Sequence, residues 1–140
     1  MAARQWGITL DTKRELTFPN TPIVERGSTA LDLTRGRKGG NVIYRPSTLW
    51  DVELIFRAML AEGGRTIAVD EAYMITTSPG NSAPGTFPPS YILGLTRGRS
   101  KKGTVVTATQ RPRFLPLFAM TEASHFFIFE PGSSDDAKYL

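Results

Sequence analysis

Cysteine is absent from the 140 residues, which excludes disulfides and any zinc–thiolate site and fits a reducing cytosol. No apolar run approaches the roughly 20 residues that a membrane-spanning helix needs. Met1 to Gly7 is too short and too polar for a signal peptide. Histidine occurs once, as His125, distant in sequence from the paired acids and best read as structural or surface. Acidic residues are missing between Glu71 and Glu122, and that stretch carries Arg97, Arg99, Lys101, Lys102, Arg111 and Arg113. Charge separated in this way suits a polyanionic partner, nucleotide phosphate or nucleic acid; its plain alternative is a solvated basic face.

What is present suits one globular domain: 40% hydrophobic residues in a chain of ordinary domain length. Gly7 to Asp11 reads as a short strand, followed by a polar stretch with one short element around Ala30 to Leu33. Asn41 to Arg45 reads as a second strand, stopped by Pro46. Ser47 or Thr48 caps a helix whose apolar stripe is Val52, Ile55, Phe56, Met59 and Leu60, ended by Gly63 and Gly64. Thr66 to Val69 is a buried-type strand running into Asp70 and Glu71. The span 78–89, with four prolines and two glycines, is an irregular excursion from which Pro88 and Pro89 open a short helix through Ile92 and Leu95. Gly103 to Thr109 is a further strand, Pro116 starts a short helix through Met120, and His125 to Glu130 is expected to be the last strand. Phe114, Phe118, Phe126, Phe127 and Phe129 are expected to serve the core and strand faces rather than to stack on bases.

Strands alternating with helices predict an α/β fold with a mainly parallel sheet, in which ligands collect at the carboxyl ends of strands. Asp11, Asp70, Glu71 and Gln110 stand at three such ends, with Lys13 just beyond the first. An apolar strand closed by two acids has a chemical use. One carboxylate holds Mg²⁺ through water, because that ion keeps much of its hydration, and its neighbour orients and deprotonates an attacking water. A polar residue ending the adjacent strand can sense a terminal phosphate. An arginine ahead of that strand can reach a nucleotide in a neighbouring subunit. The same residues also fit a solvated turn.

The order TIAVDEA (66–72), TRGRSKKGTVVTATQRP (96–112) and ASHFFIFE (123–130) resembles the FtsK/HerA group of P-loop ATPases, which includes DNA translocases, viral genome-packaging ATPases and the related Zot-like ATPases of filamentous phage assembly. GITLDTK (7–13) is similar to the strand that follows the phosphate-loop helix there. The resemblance implies a mainly parallel sheet of RecA/ASCE type, ATP and Mg²⁺ as ligands, DNA as partner, a homo-oligomeric ring, often hexameric, and a cytoplasmic setting in a prokaryote, phage or mobile element. Asp70 would match the Mg²⁺-associated acid, Glu71 the catalytic base, Gln110 with Thr109 the phosphate sensor, and Arg97 or Arg99 the arginine acting across subunits.

One element of that pattern is missing. No Gly-x-x-x-x-Gly-Lys-Ser/Thr run, whose backbone N–H groups and lysine wrap phosphates, occurs in the chain; the spacing Gly98 to Gly103 leads into a strand instead. Residues 1–130 are therefore expected to form a partial ATPase domain, truncated at its N-terminus and inactive without a supplied phosphate loop, with 131–140 a polar tail. In the family the phosphate-loop strand lies beside the counterpart of Thr104 to Thr109, so unpaired edges are expected there. The rival reading is a degenerate module that binds partner subunits or nucleic acid through its basic segment.

Overall fold

A computed structural model of the chain describes residues 6–35, 40–76, 86–129 and 134–139. Among these residues five strands form one sheet: β1 (Trp6–Asp11), β2 (Ile23–Val24), β3 (Asn41–Tyr44), β4 (Arg65–Asp70) and β5 (Thr104–Thr107). Their order is β2-β3-β1-β4-β5, and every pairing is parallel. The α/β parallel architecture expected from the sequence is the one observed.

Parallel strands need crossovers, and those from β2 to β3, β3 to β4 and β4 to β5 carry α1 (Gly27–Thr34), α2 (Leu49–Glu62) and α3 (Pro89–Arg97); α4 (Leu117–Thr121) and α5 (Ser134–Tyr139) follow β5. Helix α2 begins with a reciprocal capping box, in which the Thr48 hydroxyl accepts from the Asp51 N–H and the Asp51 carboxylate accepts from the Thr48 N–H. Its stripe Val52, Ile55, Phe56 and Met59 is fully buried against Ile8 and Leu10 of β1 and Ile67 and Val69 of β4. Each such side chain contributes about 1.5–3 kcal/mol relative to exposure. The helix stops at Gly63, whose φ is +71° and where a Cβ would lie 2.5 Å from the Lys101 carbonyl oxygen. Glycine is required there both by the left-handed backbone and by the close approach. Tyr91 of α3 closes the core, edge-on to Phe56 with ring centroids 5.2 Å apart.

Several expectations need correction. Ile23–Val24 pairs with Ile43–Tyr44, although the sequence read as loop; two residues cannot display a period. The strand expected over 103–109 is shorter, Thr104–Thr107. The last strand, expected at His125 to Glu130, does not form: 125–129 has no regular structure and joins no sheet, and Glu130 lies outside the described residues. Phe126, Phe127, Ile128 and Phe129 are accordingly exposed, Phe127 at 85%, and so is Phe118, so four of the five phenylalanines given a core and strand-face role do not take it; Phe114 is half-buried. An apolar run becomes a buried strand only when a neighbouring edge accepts its backbone hydrogen bonds. The polar tail contains a helix, α5. Of the irregular excursion, 77–85 lies outside the described residues.

Candidate functional site

The parallel register sets the site. Asp11 and Asp70 are paired partners at the carboxyl ends of β1 and β4, and Val69 pairs with Thr107 of β5. Three chain segments thus leave the sheet side by side: 12–13, 71–72 and 108–110. They are stitched together by the Thr12 hydroxyl donating to the Asp70 carbonyl at 2.7 Å, the Ala108 N–H donating to the Val69 carbonyl at 2.9 Å, and the Ala72 N–H donating to the Ala108 carbonyl at 2.9 Å.

Glu71 sits where these segments meet. Its backbone is left-handed, φ 52° and ψ 60°, a conformation that a side chain with a Cβ adopts only at a cost and that concentrates at functional sites. This turn sends its side chain inward, where it is 96% buried. The Lys13 ammonium lies 2.8 Å from Oε2. The Gln110 N–H donates to Oε1 at 2.7 Å, and the Thr109 hydroxyl donates to the same oxygen at 3.2 Å. The Thr109 hydroxyl in turn accepts from the Arg111 N–H at 3.0 Å. The hydrogen bond to Glu71 raises the Lys13 pKa and holds the ammonium charged.

Asp70, one residue earlier, alternates to the half-buried side of β4. Partial burial, and then the Glu71 charge beside it, push its carboxyl above the usual carboxylate range. A group so placed gains from a cation. One carboxylate is a sufficient protein ligand for Mg²⁺ when water and phosphate oxygens complete the shell, so the donor set suits that ion. Among the described residues no cluster of three or more His, Cys, Asp or Glu could cage a metal.

Asp11 has other work. It is fully buried, accepts from the Glu15 and Leu16 N–H groups at 3.0 and 3.2 Å, and pairs with Arg45 Nε at 2.9 Å. Its carboxylate is used up in shaping the turn that delivers Thr12 and Lys13. Lys13 is the residue whose place in the site sequence reasoning underrated; its signal was its position two residues past a strand end in register with Asp70.

Arg97 and Arg99 are not brought to the acids. Arg97 ends α3 and Arg99 lies in the 3-10 turn Gly98–Lys101, ahead of the amino end of β5, whereas Glu71 is at the carboxyl end of its neighbour. Arg99 donates to the Ser124 hydroxyl. The six cations of the basic segment are split by β5, Arg97 to Lys102 before it and Arg111 and Arg113 after it. His125 is exposed and belongs to neither group.

No family profile matches the chain. Over 121 residues it is 33% identical to the DNA packaging ATPase of Enterobacteria phage PRD1, an alignment covering 79% of this chain and 46% of that protein. Over that alignment the chain is similar to a phage DNA-packaging ATPase. Its fold agrees. The genome packaging NTPase of Sulfolobus turreted icosahedral virus 2, solved with ATPγS, superposes with a TM-score of 0.59 at 15% identity, over 96% of this chain and 65% of that one. The same NTPase solved with sulfate gives 0.57 at 16% identity, over 98% and 66%. The chain thus spans about half the length of the curated relative it matches here and just under two thirds of the solved neighbour. Among the described residues no helix is long and apolar enough to cross a membrane.

Proposed function

We propose that this chain supplies the acid and sensor half of an ATP-hydrolysing site in a DNA-packaging motor. The reading rests chiefly on one observation, the convergence of Lys13, Thr109 and Gln110 on the buried Glu71 carboxylate at the end of β4. Glu71 is the base that takes a proton from the attacking water. Asp70 would hold Mg²⁺, whose remaining ligands water and phosphate oxygens would supply. The Thr109–Gln110 segment, bonded directly to the base, reports the loss of the terminal phosphate. Bound magnesium would supply charge neutralisation at the phosphate oxygens.

In the structure both Glu71 oxygens are engaged, so the base is held ready rather than free. Lys13 is the group that can let go, since its ammonium can exchange the carboxylate for a phosphate oxygen. Arg97 and Arg99, at the far end of β5, cannot serve their own Glu71; a role at a neighbouring subunit's site in a ring accounts for them. ATP binding is suggested by the ATPγS held by the structural neighbour, and DNA by the activity named for the phage relative. The phosphate cradle has to come from outside these 140 residues, because they contain no Gly-x-x-x-x-Gly-Lys-Ser/Thr run.

Purified 140-residue protein is expected to hydrolyse Mg·ATP no faster than its Glu71→Gln variant, because positioning and electrostatics provide most phosphoryl-transfer catalysis and the cradle is absent. With a phosphate-loop strand fused ahead of β1, turnover should appear and fall by about 10²–10⁴ on Glu71→Gln. Turnover in the fusion that ignores Glu71→Gln would sink the assignment. The rival, a degenerate binding module, draws on the saturation of Glu71, and is favoured if the fusion binds ATP and never turns it over.

A further inference from the structure

The turn that follows β5 carries a second arrangement of charge, separate from the acids. Arg111 lies with its guanidinium carbon 5.8 Å from the Tyr73 ring centroid, and Arg113 lies 4.7 Å from that of Phe114. The two rings are themselves 6.3 Å apart. Two arginines and two aromatics from different chain segments therefore form one cluster. Tyr73 stands in the 3-10 turn Ala72–Met74 directly after Glu71, and Phe114 in the 3-10 turn Pro112–Phe114 directly after Gln110 and Arg111.

The backbone of the cluster is held. The Arg111 N–H donates to Thr109, the Phe114 N–H to the Arg111 carbonyl at 3.1 Å, and the Leu115 N–H to the Pro112 carbonyl at 3.0 Å, while Pro112 is buried. Among the described residues Arg111 has no carboxylate within ion-pair reach, and Arg113 has only exposed Asp135 at 3.8 Å. A guanidinium resting on a ring is weakly hydrated and ordered, and its N–H edge remains available. That edge matches phosphate oxygens in a planar fork. The rings are occupied by the cations, so the cluster is built to hold a phosphodiester backbone rather than to stack bases.

We propose that Tyr73, Arg111, Arg113 and Phe114 form a DNA-backbone site on the rim of the candidate active site. It rests on the packaging reading for its partner and goes beyond it in naming the surface. Two hydrogen bonds join the site to the base: the Arg111 N–H donates to the Thr109 hydroxyl, which donates to Glu71. A phosphate gripped by Arg111 therefore pulls on the segment that contacts the base. That gives cargo and hydrolysis a shared mechanical element.

The test uses the full 140-residue protein without nucleotide or magnesium, and the fluorescence anisotropy of a labelled duplex of about 20 base pairs across a salt series. Arg111→Ala and Arg113→Ala should each weaken binding about five- to tenfold and lower the salt slope by about one. Phe114→Leu, which leaves net charge unchanged, should weaken binding about two- to threefold by releasing the stacked guanidinium. The paired change Lys101→Ala and Lys102→Ala, at the opposite end of β5, should shift affinity less than twofold. A slope lost with the lysines and kept without the arginines would overturn the site, and so would Phe114→Leu binding like wild type in a protein of unchanged melting temperature. Hydrolysis is read separately, as turnover in the phosphate-loop fusion, so failure of DNA binding here leaves the hydrolysis reading standing, and failure of hydrolysis leaves this site standing.

Discussion

Strands β4 and β5 are neighbours in the sheet, paired from Thr66 with Thr104 to Val69 with Thr107, and they have nearly interchangeable interiors, Thr-Ile-Ala-Val and Thr-Val-Val-Thr. Their environments differ. Ile67 and Val69 are fully buried, with α2 on one side of the strand layer and β1 and β5 at the strand's flanks. Val106 is 51% exposed, β5 stands last in the strand order, and the apolar run 126–129 that could have extended the sheet lies open to solvent. Apolar β-branched sequence is thus a capacity for burial, realised only where another element covers it. The well-covered strand carries the acids in a fixed geometry; the poorly covered side carries the chain's liability for association.

The comparison breaks most sharply at the two strand interiors. Ile67→Ala should cost about 2–5 kcal/mol, since it leaves a cavity in a close-packed layer, while Val106→Ala should cost well under 1 kcal/mol. Urea denaturation of both variants decides it. Similar losses would mean that β5 is covered in solution.

A smaller effect is expected at the seam where both strands meet β1. Lys13→Met leaves the buried Glu71 with two of its three donors and should cost about 1–3 kcal/mol near neutral pH. The sign of its pH dependence follows from the raised Lys13 pKa. The pairing stabilises the fold fully below the unfolded value of 10.5 and is lost as pH rises through the higher folded value. The gap between wild type and Lys13→Met should therefore be flat through neutrality and close in strongly alkaline solution. A gap that instead closed on mild acidification would assign the contribution to another group.

The smallest change in stability is expected on the open side. Phe127→Ser should leave the unfolding free energy within about 0.5 kcal/mol, because the ring is already in water. It should nonetheless reduce concentration-dependent association in sedimentation velocity, since short apolar unpaired segments drive edge contacts. Marked destabilisation would show that 126–129 packs against its own chain.

Much of the site could be read in the chain itself. The apolar Thr66 to Val69 run into Asp70 and Glu71 announces a strand and its carboxyl end, and Thr-Leu-Trp-Asp at 48–51 announces the start of α2. Both are local signals, set by side-chain period and by a cap within one turn. What escaped is non-local. Nothing in the sequence says that Lys13, 58 residues from Glu71, completes its carboxylate, or that Asp11 is consumed by Arg45. Those follow from the β1–β4 and β1–β3 registers, which depend on how whole strands align. The basic segment reads as one patch along the chain, yet β5 divides it into two groups.

By itself, then, the sequence determined the parallel α/β class, the strand that bears the acids, and the residues available for phosphate chemistry, because these depend on period, caps and residue type. The tertiary structure alone decided that Glu71 turns inward through a left-handed backbone, that Lys13, Thr109 and Gln110 converge on it, that Arg97 and Arg99 lie ahead of the opposite end of β5, and that residues 125–129 stay unpaired. Each of these is a contact between segments far apart in the chain. Such contacts form only when strand order and register bring two backbones within a hydrogen bond of each other, and neither is written in any local window of residues.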